Sequence, residues 1–93
     1  MEFEWDENKN KANWKKHKVD FKEAESVFED ERMITIFDEY NSDEEERFRA
    51  IGLSRKLREI TVCHCSRNDD EVTRIISARR ATKPEIKLYE RGF

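Results

Sequence analysis

The sequence predicts an α+β domain, with two N-terminal helices and a C-terminal helix packed on a four- to five-stranded, mostly antiparallel sheet. Three observations lead there. An apolar stripe of helical period runs through Phe21, Ala24, Val27 and Phe28. Alternating, period-two runs fill most of residues 33–79 and are separated by short polar turns. A helix-start signature then follows at once, with Thr82, Pro84 and Glu85.

Phe3 to Trp5 is a short strand candidate, and Asp6 is placed to cap a helix over about 7–17. Lys18 and Val19 form a joint. Asp20 then caps a second helix, with Glu23 at the capping-box position and Val19 and Ala24 as a hydrophobic staple. This helix is expected to end near Glu29–Glu31, and both helices to cover one sheet face through Phe21, Val27 and Phe28. Strands follow at 33–38, 47–53, 59–66 and 72–79, joined by an acidic turn at 41–46, a basic connection at 54–58 and a polar turn at 67–71. Thr82 and Glu85 make a reciprocal capping box for a last helix from about Lys83 to Glu90.

Ninety-three residues suit one domain spanning 1–93, with a small core. Only 35% of residues are hydrophobic and 44% are charged, so the ten aromatics must supply much of the buried area. The periodic apolar pattern and a net charge of only -3 exclude a disordered chain. Charge is segregated along the sequence. Residues 1–46 hold seven Lys/Arg against sixteen Asp/Glu, and residues 47–93 hold twelve against six. Residues 8–18 carry five lysines and no acid, so a basic face fits an acidic protein. The two cysteines, Cys63 and Cys65, do not make a secreted disulfide framework. The N-terminus lacks a signal-peptide pattern and no run approaches membrane-spanning length, so a cytoplasmic location is expected.

The candidate chemistry gathers at the ends of elements. A β-branched run delivers Ser77, Arg79 and Arg80 to a helix start, which are the parts of an anion site. Alternation sets Ser77 and Arg79 on one face with Ile75, and Ile76 and Ala78 on the other. On the first helix Lys9, Asn13, Lys16 and His17 fall within an arc of roughly 100°. Arg67 and Tyr89 sit at or after element ends on the same C-terminal side. The competing reading gives Arg79 a structural ion pair with Glu85 or Glu90. His64 alternates away from Cys63 and Cys65, so one strand cannot aim all three at a metal; neither metal nor cofactor is expected. Gly-rich phosphate loops, G-x-S-x-G and H-E-x-x-H are absent. A basic site of this kind suits RNA cleavage by the RNA's own 2′-OH, which needs proton transfer and cations for the phosphorane.

The motifs resemble a known family. Trp5-Asp6-x-x-Lys9-x-x-x-Asn13-x-x-Lys16-His17-x-Val19-x-Phe21-x-Glu23-Ala24-x-x-Val27-Phe28 is similar to the N-terminal signature of BrnT-type toxins of bacterial type II toxin–antitoxin pairs. Arg47-x-x-x-Ile51-Gly52 and Arg74-Ile75-Ile76-Ser77-Ala78-Arg79-x-Ala81-Thr82-x-x-Glu85-x-x-x-Tyr89 resemble its middle and C-terminal blocks. The resemblance implies a RelE-like ribonuclease fold, RNA cleavage that stops translation, and a BrnA-type ribbon-helix-helix antitoxin through which operator DNA is bound. It carries over Lys9, His17, Arg67, Ser77 and Arg79 as the active-site set; Asn13, Lys16, His64, Arg80 and Tyr89 are further expected to contact RNA. The alternative is a non-catalytic module that binds protein or nucleic acid through the same basic face. One departure stands out: the family has Gly after the Lys-His pair, and this chain has Lys18.

Overall fold

The computed structural model describes residues 1–92; Phe93, the last residue of the expected domain, lies outside them. The elements run β1 (Glu2–Glu4), α1 (Glu7–His17), α2 (Phe21–Val27), β2 (Ile34–Phe37), β3 (Phe48–Leu53), β4 (Glu59–Arg67), β5 (Val72–Arg80) and α3 (Lys83–Arg91), with a single 3-10 turn at Glu39–Asn41. The five strands form one mixed sheet in the order β1-β5-β4-β3-β2. β2 to β5 are the expected antiparallel meander, whereas β1 joins β5 in parallel, pairing Glu2–Glu4 with residues 72–74.

The helix starts obey their caps. Asp6 accepts from the Asn8 and Lys9 amides, Asp20 from the Glu23 amide, and Thr82 and Glu85 close the reciprocal box on α3. Glu23 departs from expectation, because its carboxylate does not close a box on α2. It is fully buried and turns to Arg58 and Ser54, tying α2 to the β3–β4 connection. Burial pushes this carboxyl up, but hydrogen bonds from Arg58 and Ser54 bring it below the ordinary value. The second helix stops at Val27, earlier than expected, and turns carry the chain from Phe28 to Met33.

α1 ends in a left-handed residue, and that residue is Lys18, at φ 58°. A side chain there costs about 1 kcal/mol relative to Gly. The Lys18 amide donates to Trp14 O, as Gly would there, and the ammonium, 5.6 Å from the Trp14 ring centre, offsets part of the cost.

α2 lies across β3, β4 and β5 and supplies the core. Phe21, Ala24 and Val27 pack with Ala50, Ile60, Val62, Ile75 and Ala78, and Phe28 closes the cluster from its rim. α1 buries only Asn13. β1 covers β5 only as far as Arg74, so the outer edge of β5 is bare beyond it. The Asn13 amide fills the gap: Nδ2 donates to Ala78 O at 2.8 Å and Oδ1 accepts from the Ala78 amide at 3.1 Å. Nδ2 also donates to Val19 O, fixing the α1–α2 joint. Asp30 does the same for β3, accepting from the Leu53 amide where β2 no longer reaches.

A bulge alters the strict alternation expected for β5. Cys63 pairs with Ser77 and His64 with Ile75, leaving Ile76 as the extra residue. Ile75 therefore joins Ala78 in the core instead of Ser77 and Arg79, and Ile76 lines a cavity on the other face.

Candidate active site

Thr61, Arg49 and Arg79 alternate with the core residues Val62, Ala50 and Ala78, so they point from the face opposite α2. α3 begins over this face, and its Glu85 gathers them. Arg79 forks onto Glu85 with Nη1–Oε1 2.7 Å and Nη2–Oε2 3.0 Å. Arg49 Nη1 donates at 2.8 Å, and the Thr61 hydroxyl and Thr82 amide each donate at 2.9 Å. Burial alone pushes the Glu85 carboxyl up, but the hydrogen bonds from Arg79, Thr82 and Thr61 and the Arg79 charge hold it down at about 2. Arg79 therefore carries the ion pair that the competing reading named. A small cavity of about 130 Å³ opens beside this cluster, bordered by Arg79, Arg49, Ser77, Cys63, Asp38 and Asn41. Burial pushes the Cys63 thiol up, so it is a poor nucleophile.

Asn41 also borders a larger cavity of about 480 Å³. It is lined by the cations Lys9, Arg47, Arg67 and Arg74 together with Tyr40, Asp43, Glu44 and Glu45. Arg74 Nη1 lies 2.7 Å from Glu4, while Arg47 and Arg67 share Glu45. Lys9 has no ion-pair partner among the described residues. The acidic turn read from the sequence thus hangs over the basic groups. Among the described residues no three of His, Cys, Asp and Glu are arranged to hold a metal ion. No described helix is long and apolar enough to cross a membrane.

The expected site residues separate into groups. Lys9 and Arg67 share the larger cavity, and Ser77 and Arg79 share the smaller one beside it. His17 borders neither; it sits two turns beyond Lys9, about 12 Å further along α1. Lys16 and Arg80 are exposed and also border neither cavity. Three residues expected at the RNA face make contacts within the fold. Asn13 is committed to the edge of β5. His64 is buried against Phe28 and Phe48, and its desolvated ring has a pKa lowered to about 4. Tyr89 donates to Asp30; burial and that bond push the phenol up to about 12.

A family model described as "Ribonuclease toxin, BrnT, of type II toxin-antitoxin system" matches residues 5–85. The chain belongs to this BrnT family. Its fold is similar to the crystal structure of the Brucella abortus ribonuclease toxin BrnT, with TM-score 0.67 and 27% identity, covering 89% of this chain and 99% of that one. No curated protein sequence matches the chain. In this BrnT-type chain, sequence reasoning missed Arg47 and Arg49 as cavity residues. Both precede or occupy β3 at alternate positions, so a two-residue spacing of arginines on a strand was the available signal.

Proposed function

We propose that the chain is a metal-independent endoribonuclease of RelE-like fold that inhibits translation in the cytoplasm. The 2′-OH of single-stranded RNA attacks the adjacent phosphate, and the P–O5′ bond breaks. The products are a 2′,3′-cyclic phosphate and a 5′-hydroxyl. The observation that carries this reading is the pair of adjoining cavities walled by Lys9, Arg67, Ser77 and Arg79. Guanidiniums suit the charge of the phosphorane, and Lys9 is the cavity's uncommitted ammonium. Membership of a type II family implies an antitoxin partner. A BrnA-type ribbon-helix-helix antitoxin would lay an acidic or apolar segment over this face, and operator DNA would be bound only through it.

The engagement of Arg79 by Glu85 favours a second reading, a non-catalytic binding module in which Arg79 is structural. Inducible expression of Arg79 variants separates the two, with growth, total RNA integrity and thermal unfolding as readouts. On the ribonuclease reading Arg79→Lys and Arg79→Ala both fold and lose roughly 10²–10³-fold in cleavage. Unfolding of Arg79→Ala alongside full toxicity of Arg79→Lys makes the residue structural. Co-expression of the adjacent antitoxin gene restores growth with the wild-type chain if the partner is as proposed. Cleavage abolished by EDTA and restored by Mg²⁺ overturns the metal-independent mechanism.

A further inference from the structure

We propose that Arg47 and Arg67 form a phosphodiester-binding site for single-stranded RNA, which the Glu45 carboxylate occupies in the free protein. The proposal rests on the ribonuclease reading of the larger cavity. Arg47 immediately precedes β3 and Arg67 ends β4; the antiparallel register of those strands, continued past Phe48–His64, makes the two diagonal neighbours on one face. Arg47 Nε donates to Glu45 Oε2 at 3.4 Å, and Arg67 Nη1 lies 3.1 Å from Oε1. Two guanidiniums thus grip the two oxygens of one carboxylate, as they would grip the two non-bridging oxygens of a phosphodiester.

The two carboxylates on this face of the sheet differ in how firmly they are held. Glu85 is bonded by the Thr82 amide and the Thr61 hydroxyl and is part of the α3 cap, so it cannot leave without undoing a helix start. Glu45 lies in a stretch without helix or strand, its side chain is 29% exposed, and no backbone amide donates to it. Ion pairs this open to solvent and held by side chains alone contribute modestly to stability, so exchange for a phosphate costs little. The Cys65 thiol and the two guanidiniums hold the Glu45 carboxyl below its ordinary value, which keeps it an anion. The cavity it closes lies within the usual range for ligand sites, roughly 300–1,000 Å³. Lys9 extends the cationic wall, and Tyr40, 88% exposed at the rim, offers a ring for a base. That exposed ring favours a nucleic acid over an acidic protein segment as the occupant.

The test uses a short fluorescent 2′-O-methyl RNA, which cannot be cut by its own 2′-OH. Binding to the full chain is read by anisotropy across a salt series. Glu45→Gln is expected to bind roughly tenfold more tightly at low salt, with the log–log salt slope steeper by about 0.7 for each phosphate newly engaged. Glu46→Gln makes the same change in net charge next door and is expected to have little effect. Adding Arg47→Ala to Glu45→Gln should remove the gain. Equal gains for Glu45→Gln and Glu46→Gln mean bulk repulsion, and no gain for Glu45→Gln means no masked site; either overturns the proposal. So does a gain confined to a poly-glutamate peptide, which would mark the site as one for an acidic protein. Circular dichroism monitors folding, and Glu45→Ala replaces Glu45→Gln if the latter does not fold. A chain that binds the RNA in this pattern but cuts no natural RNA keeps the site and loses the ribonuclease reading.

Discussion

The two faces of the sheet are built on different terms. The face under α2 is dry: Phe21, Val27, Ile60, Val62 and Ile75 are fully or almost fully buried, and the one titratable ring near them, His64, is kept neutral by burial. The face under α3 is ionic, with Arg49 and Arg79 on Glu85 and Arg47 and Arg67 on Glu45. Packing on the first face depends on shape and area. Order on the second depends on which carboxylate each guanidinium finds. The difference teaches that the dry face is fixed by packing, whereas on the ionic face Glu85 is locked into the α3 cap and Glu45 is held by side chains alone.

The largest effect should come from the dry face. Phe21→Ala is expected to cost about 3–5 kcal/mol. In a domain of this size each kcal/mol lowers Tm by roughly 4–8 °C, so thermal denaturation checks it. A loss below about 1 kcal/mol would mean that the core does not run through Phe21.

Acid separates the faces in order. The His64 pKa falls in the folded state, from 6.5 to about 4, so the unfolded chain binds more protons between those values. The stability from this group is fully present above pH 6.5 and is lost as pH falls towards 4, a span worth about 3 kcal/mol. The Glu85 pKa is lowered from 4.5 to about 2, so its contribution persists above pH 4.5 and is lost as pH falls through 2. Denaturant titrations across pH should show two steps. His64→Leu should remove the upper step, and Glu85→Gln should weaken the lower, which Glu23, Asp30 and Glu45 share. His64 Nε2 is buried without a partner, so the leucine should cost little at neutral pH. A single step that neither substitution alters would break the comparison.

The smallest effect tests the joint between helices. Lys18→Gly relieves the left-handed cap but gives up the contact with Trp14. A net gain of about 0.5–1 kcal/mol is expected, measurable by chemical denaturation. A loss would show that the cation–π contact outweighs backbone strain.

The dry face was legible in the sequence because period and caps are local signals. Asp6, Asp20 and Thr82 cap their helices as read, and the four meander strands lie where alternation puts them. The parallel partner of β1 was not legible, since pairing across some seventy residues leaves no local trace. Nor was the role of Asn13. An amide on a basic stripe reads as a ligand-binding group unless one knows that β1 leaves the edge of β5 bare. The bulge at Ile76 moved Ile75 to the core against the alternation. The candidate site was half legible. Lys9, Arg67, Ser77 and Arg79 do converge on neighbouring cavities, but the distribution of Arg47, Arg49, Arg67 and Arg79 between Glu45 and Glu85 depends on tertiary distance alone.

The pairing of Glu4 with Arg74 also sets a timetable for synthesis. Ribosomes add about 5–20 residues per second, so roughly 4–14 s separate the making of these two partners. Contacts of such long range close late in folding. The wall that brings Lys9 beside Arg74 therefore cannot form on a nascent chain until β5 has emerged. A growing chain therefore carries its cations without a cavity to concentrate them until β5 is free to pair.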